Sequence, residues 1–251
     1  RLRVFADGDA QGPFGFRLLD AAGGATVTVG EEFGSAVGDG GVIDRLQRGA
    51  GAPLDYTALG GTENRAWRVG GQADLSIPDT PELRPAEITL EAWVLAEEGE
   101  SYEAVAGKTS SSSWIDGYGL VRTGDTIRFF VNGWSGVEVG EDWVESYVET
   151  PLPVRTWTHV AGTYDGSILR LYVDGILAAE RAFSAPINHS TAPLALGAAP
   201  GESYLWSGSI DEVRIWNVAR SEAQIAAAKD APLTGLQSGL VGYWRFDEAT
   251  G

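Results

Sequence analysis

The chain has 251 residues, 43% hydrophobic and 10% aromatic with nine tryptophans, a composition that builds a packed core and excludes intrinsic disorder. Its 18 Lys and Arg against 35 Asp and Glu give a formal charge of −17, which repels nucleic acid and anionic headgroups, and its apolar runs are too short for membrane insertion. The absence of cysteine excludes disulfides, thiolate metal sites and cysteine nucleophiles, and two histidines, His159 and His189, leave little for imidazole chemistry.

Residues 1–52 are rich in glycine and hold no tryptophan. The opening RLRVFADGDAQG lacks the apolar core of a signal peptide, which points to a piece of a larger protein. GFRLLDAAGGATVTVGEEF contains two possible strands, so this segment is either the tail of a preceding module or extra strands on the main body. From residue 53 to 251 the pattern is that of one β domain. Short β-rich runs at 66–69, 73–77, 88–95, 103–107, 118–122, 126–131, 194–197, 209–216 and 240–246 are bounded by Gly, Pro, Asp, Asn or Ser. In WTHVAGTYDGSILRLYVDGILAAERAF (157–183) three alternating runs are cut by Asp165-Gly166 and Asp174-Gly175, which predicts a three-stranded antiparallel meander with tight turns. Asn132-Gly133 is a further hairpin signal. Ser221 followed by Gln224 forms a capping-box pattern ahead of EAQIAAAKDA, and Pro232 would stop that helix. The expected fold is all-β, a two-sheet antiparallel jelly-roll sandwich with one short C-terminal helix.

Three ordered blocks, ITLEAWV (88–94), WTHVAGTYDGSILRLYVDG (157–175) and GSIDEVRIWNVARSEAQI (208–225), resemble the laminin-G-like, concanavalin A-like jelly roll. The resemblance implies a non-catalytic module of a secreted or cell-surface protein, often with a structural calcium, that binds carbohydrate or protein or serves as a spacer. The closing GLVGYWRFDEATG (239–251) resembles the start of a next tandem copy. It either belongs to a following repeat or folds back as a strand over 240–247, and the alternation of Leu240, Gly242, Trp244 and Phe246 favours the second.

Asp211 in SIDEVRIW shares strand parity with Val213 and Ile215, so an inward carboxylate there needs a cation, an Arg or backbone N–H donors. The resemblance implies a Ca²⁺ held by Asp211, the carbonyl of Gly71 and Asp247 or its neighbour in the closing strand, although VGG lacks the Asp that precedes the glycine in the family pattern. Asp165 and Asp174 are turn formers, His159 is a satisfied sheet histidine, and Trp93, Trp157, Trp216 and Trp244 are core. A second aromatic group lies in expected loops: Trp114 with Asp116, Trp134 with Asn132, and Trp143 with Tyr147. Such rings either stack on sugar faces while nearby oxygens bind hydroxyls, or fold over the sheet as satellite core. The carboxylates Glu141, Asp142 and Glu145 in EDWVE do not make the paired spacing that a retaining glycosidase needs. The expectation is therefore an extracellular recognition or adhesion module binding glycan or protein at its loops, joined to neighbouring domains of the same chain, with a mechanical spacer as the alternative and a polysaccharide-cleaving enzyme as the weakest reading.

Overall fold

The computed structural model describes residues 5–7, 15–17, 66–69, 75–98, 102–111, 114–139, 142–200, 204–234 and 237–246. In the N-terminal segment β1 (Phe5–Asp7) pairs with β2 (Gly15–Arg17). The strands β3 (Trp67–Val69), β4 (Leu75–Ile77), β5 (Ile88–Ala96), β6 (Tyr102–Lys108), β7 (Tyr118–Thr123) and β8 (Thr126–Val131) follow. Next come β9 (Val137–Val139), β10 (Asp142–Val144), β11 (Tyr147–Pro151), β12 (Trp157–Tyr164), β13 (Ile168–Val173) and β14 (Ile176–Ala182). The chain closes through β15 (Leu194–Leu196), β16 (Gly208–Trp216), α1 (Glu222–Ala228) and β17 (Leu240–Trp244).

Two antiparallel sheets make the jelly-roll sandwich. One has six strands in the order β11-β8-β7-β6-β15-β4. The other has seven, β14-β13-β12-β5-β16-β17, with β3 also on β16. The inner faces are where alternation places the apolar side chains: Ile88, Leu90, Ala92 and Val94 of β5 meet Leu120, Ile127, Phe129 and Val131 of the opposite sheet in one buried core. At its centre Gly162 of β12 admits the Phe129 ring, because a Cβ there would stand 2.1 Å from that ring.

The meander β12-β13-β14 turns at Gly166 and Gly175, both with positive φ. Asp165 caps its turn through Oδ1, which accepts the N–H groups of Ser167 and Ile168, and Asp174 Oδ1 accepts the His159 N–H. By contrast, Asn132-Gly133 does not join adjacent strands. The chain leaves β8 there, forms the β9-β10 hairpin, and returns as β11 to pair with β8. The hairpin inserted in this connection removes the tight turn that the dipeptide signals.

Helix α1 starts with the full Ser221–Gln224 capping box. It lies on the outer face of the seven-stranded sheet, where Ile225 packs with Ala161 and Tyr172. Beside it sits a buried ionic group. Glu91 Oε1 accepts from the Trp216 indole N–H at 2.8 Å and from Arg220 at 3.1 Å, while His159 Nε2 stands 3.5 Å from Oε2. Arg214 donates to the carbonyls of Ala228 and Ala231 and to Glu212, so one guanidinium ties β16 to the end of the helix. Trp93 is half-buried and donates its indole N–H to the Lys229 carbonyl at 2.7 Å. Trp216 and Trp244 are buried, but Trp157 is exposed, because α1 does not reach the end of β12 that carries it.

A bulge interrupts β16 between Asp211 and Arg214, with Glu212 at φ 51°. Ile210, Val213 and Ile215 all enter the core, so the bulge resets the alternation. Asp211, next to core-facing Ile210, therefore does not share the inward face of Val213 and Ile215. The same point is the junction where β3 ends its pairing at Ile210 and β17 begins at Val213.

Candidate functional site

The outer face of the six-stranded sheet carries the second aromatic group. Ala104, Val121 and Phe130 point away from the core and are covered by Trp114 and Ala199, with Trp134 and Tyr147 packed at the margin. The loops above are laced together by backbone bonds. Gly117 N donates to the Asn188 carbonyl at 2.8 Å, Asn132 N to the Gly117 carbonyl at 2.8 Å, and Trp134 N to the Trp114 carbonyl at 3.1 Å. Asp116 Oδ1 accepts the Ser110 N–H at 2.7 Å, and Asn132 donates to the Pro186 carbonyl while accepting the Asn188 N–H.

Thus the residues expected to bind ligand divide. Trp114, Asp116 and Asn132 are buried and hold the loops; Trp134 and Tyr147 are half-buried; Trp143 is 61% exposed. Trp143 lies on the β9-β10 hairpin with its indole edge over Gly136, where a Cβ would come within 2.8 Å of Nε1. Two further rings complete a platform that the sequence did not reveal. Tyr102, on β6, and Tyr204, whose carbonyl accepts the Ala104 N–H, are 40% and 44% exposed. Their centroids are 6.1 Å apart, Tyr102 is 5.4 Å from Trp134, and Tyr204 is 5.1 Å from Trp114. Trp114, Asn132 and Tyr204 all have positive φ, at 46°, 65° and 53°, a backbone state that costs non-glycine residues energy and collects at ligand sites.

Polar groups border the rings. Arg128 donates through Nε and Nη2 to Glu149 Oε2, at 3.0 and 2.7 Å, and through Nη1 to the Trp134 carbonyl at 2.6 Å. Its guanidinium carbon lies 3.8 Å from the centroid of Tyr147 and 5.2 Å from that of Trp134. Arg181 pairs with Glu145 at 2.6 Å and donates to the Tyr147 carbonyl. Burial pushes the Tyr147 hydroxyl above its ordinary range, and Glu145 and Glu149 add to this against the pull of Arg128. It therefore stays protonated at neutral pH and can donate a hydrogen bond.

The expected calcium ligands do not come together within the described residues. Asp211 is buried and its Oδ1 accepts the Glu212 N–H at 2.8 Å. Gly71 and Asp247 lie outside the described residues. Among the described residues no group of three or more His, Cys, Asp or Glu side chains is arranged to hold a metal. Of the acidic run, Glu141 lies outside the described residues, Asp142 is exposed in β10, and Glu145 is engaged by Arg181. Among the described residues no helix is long and apolar enough to cross a membrane.

Comparison with known proteins agrees with this architecture. The family Laminin_G_3, described as the concanavalin A-like lectin/glucanases superfamily, matches residues 69–226. Pappalysin-1 of Mus musculus is 28% identical over 211 residues, which is 78% of this chain and only 12% of that protein. A candidate carbohydrate binding protein from Bacteroides ovatus superposes with a TM-score of 0.54 at 20% identity, over 68% of this chain and 49% of that one. A structure of NanB with Optactamide gives 0.50 at 17% identity, over 67% and 27%. These structures share the fold, and the family match covers the sandwich from β3 into α1. The chain belongs to the concanavalin A-like lectin/glucanases superfamily, as a member of its Laminin_G_3 family.

Proposed function

We propose that this is a non-catalytic, extracellular carbohydrate-recognition module whose ligand lies across the outer face of the six-stranded sheet. One observation carries the reading: Tyr102 at the start of β6 and Tyr204 in a positive-φ loop position present exposed rings 6.1 Å apart, beside the half-buried ring of Trp134. Exposed rings held rigidly offer sugar C–H faces an apolar partner at little entropic cost, while nearby Tyr and Glu oxygens bind hydroxyls. A glycan array with the whole chain tests this. Discrete hits that weaken roughly tenfold in Tyr102→Ala and in Tyr204→Ala support it, taking each ring contact as about 1.4 kcal/mol. Hits that survive both substitutions place the ligand elsewhere.

Calcium remains a structural proposal. Asp211 is a buried carboxylate at the bulge where β3 and β17 meet on β16, and the chain runs from β17 toward Asp247. A carboxylate there would supply one of the six to eight oxygens that Ca²⁺ takes, and the ion would bind the two strands at their junction.

A further inference from the structure

The cations beside the aromatic platform are already neutralised, and this bears on the class of sugar. Arg128 directs all three of its donor nitrogens at protein oxygens: Nε and Nη2 at Glu149, Nη1 at the Trp134 carbonyl. The face of its guanidinium is covered by Tyr147. Three of its five N–H groups are spent in this way and its side chain is only 11% exposed, which leaves little of it open to the bidentate grip by which arginine takes a carboxylate, sulfate or phosphate. Arg181, the next cation, is tied to Glu145 and to the Tyr147 carbonyl. The two remaining cations of the six-stranded sheet's long strands are also engaged. Arg122 bonds Glu103 and the carbonyls of Glu97 and Gly124, and buried Lys108 is paired with Asp79 at 2.7 Å. Glu138 and Asp142 of the β9-β10 hairpin add negative charge at this end, on a chain whose formal charge is −17.

Meanwhile the border is rich in acceptors. Glu149 uses Oε2 for Arg128 and has Oε1 at a side chain that is 38% exposed. Two residues before Tyr147, Glu145 Oε1 accepts from the Tyr147 hydroxyl at 3.3 Å, and its side chain is 43% exposed. A carboxylate oxygen accepts from a sugar hydroxyl with charge assistance and repels an anionic substituent.

We infer that the module selects neutral glycans, bound by ring stacking and by hydroxyl donation to Glu149, and rejects sugars bearing carboxylate, sulfate or phosphate groups. This rests on the carbohydrate reading of the same face. The test compares the whole chain on neutral oligosaccharides (gluco-, manno-, xylo- and arabino-series) with polygalacturonate, alginate, sialyllactose and heparin. Expected are hits confined to the neutral set, with affinities changing less than about twofold between 0.05 and 0.5 M salt, and a loss of roughly tenfold in Glu149→Gln. Binding of the anionic set that collapses with salt overturns the charge selection but leaves a sugar site at the platform. Loss of Tyr102 dependence overturns the site itself.

Discussion

The Arg128 guanidinium lies over the Tyr147 ring, 3.8 Å from its centroid, while its nitrogens fasten β8 to β11 through Glu149 and to the Trp134 loop through a carbonyl. A lysine at this place keeps the charge but neither the fork nor the flat stacking surface. Arg128→Lys is expected to lower stability by about 1–2 kcal/mol and to weaken glycan binding by freeing Trp134. Urea denaturation and tryptophan fluorescence measure the two effects. Unchanged stability would show that the packing, and not the fork, sets this edge.

Glu91 gives a pH prediction. Burial would raise its pKa, but His159, Arg214 and Arg220 outweigh that and hold it below its ordinary value of 4.5. The folded state therefore binds this proton less readily than the unfolded chain. The contribution is fully present above pH 4.5 and falls as pH drops through the depressed folded value. Glu91→Gln leaves Arg214 and Arg220 facing a neutral amide in a buried site, and should cost about 3–5 kcal/mol at pH 7. Its stability should then depend less on acid than that of the parent, which parallel urea curves at neutral and acid pH will reveal.

Much of the sandwich was legible because its strands are short β-rich runs set off by turn residues. β5, β12 and β16 run for eight or nine residues each, and Asp-Gly pairs mark the turns that follow β12 and β13. The β9-β10-β11 excursion was not legible, since VEVGEDWVESYVETP mixes charge with apolar residues and its core contacts, Val137, Val144 and Val148, are too widely spaced to write a period. The site was half-legible. Trp114, Trp134, Trp143 and Tyr147 stood out from loop composition, whereas Tyr102, between Ser101 and Glu103, falls just ahead of the β-rich run at 103–107 and carries no signal of its own. Parity misplaced Asp211 because a single bulged residue, Glu212, shifts every side chain before it to the other face.

The calcium proposal predicts a stability gain from mass action. At a concentration about a hundredfold above its dissociation constant, Ca²⁺ should add about 2.7 kcal/mol, or roughly 5–10 °C in Tm. Asp211→Ala should abolish that gain. A Tm that is the same in Ca²⁺ and in chelator would dispose of the ion.

Gly162 tests the sandwich directly. Because a Cβ at this position would stand 2.1 Å from the Phe129 ring, Gly162→Ala must push β12 and β8 apart at the centre of the core. The expected cost is about 1–3 kcal/mol. Chemical denaturation measures it, and the double variant Gly162→Ala with Phe129→Leu should recover part of the loss. Full tolerance of the single change would mean that the sheets sit farther apart than described.

The meeting of β3 and β17 on one margin of β16, where the rings of Trp67 and Phe246 lie 5.3 Å apart, couples the first and last strands of the sandwich. The two strands lie end to end along that margin, in the seven-stranded sheet, opposite the sheet whose outer face carries the tyrosine platform. A change at the β16 bulge would thus disturb both pairings at once, while the outer face of the opposite sheet keeps its rings in place.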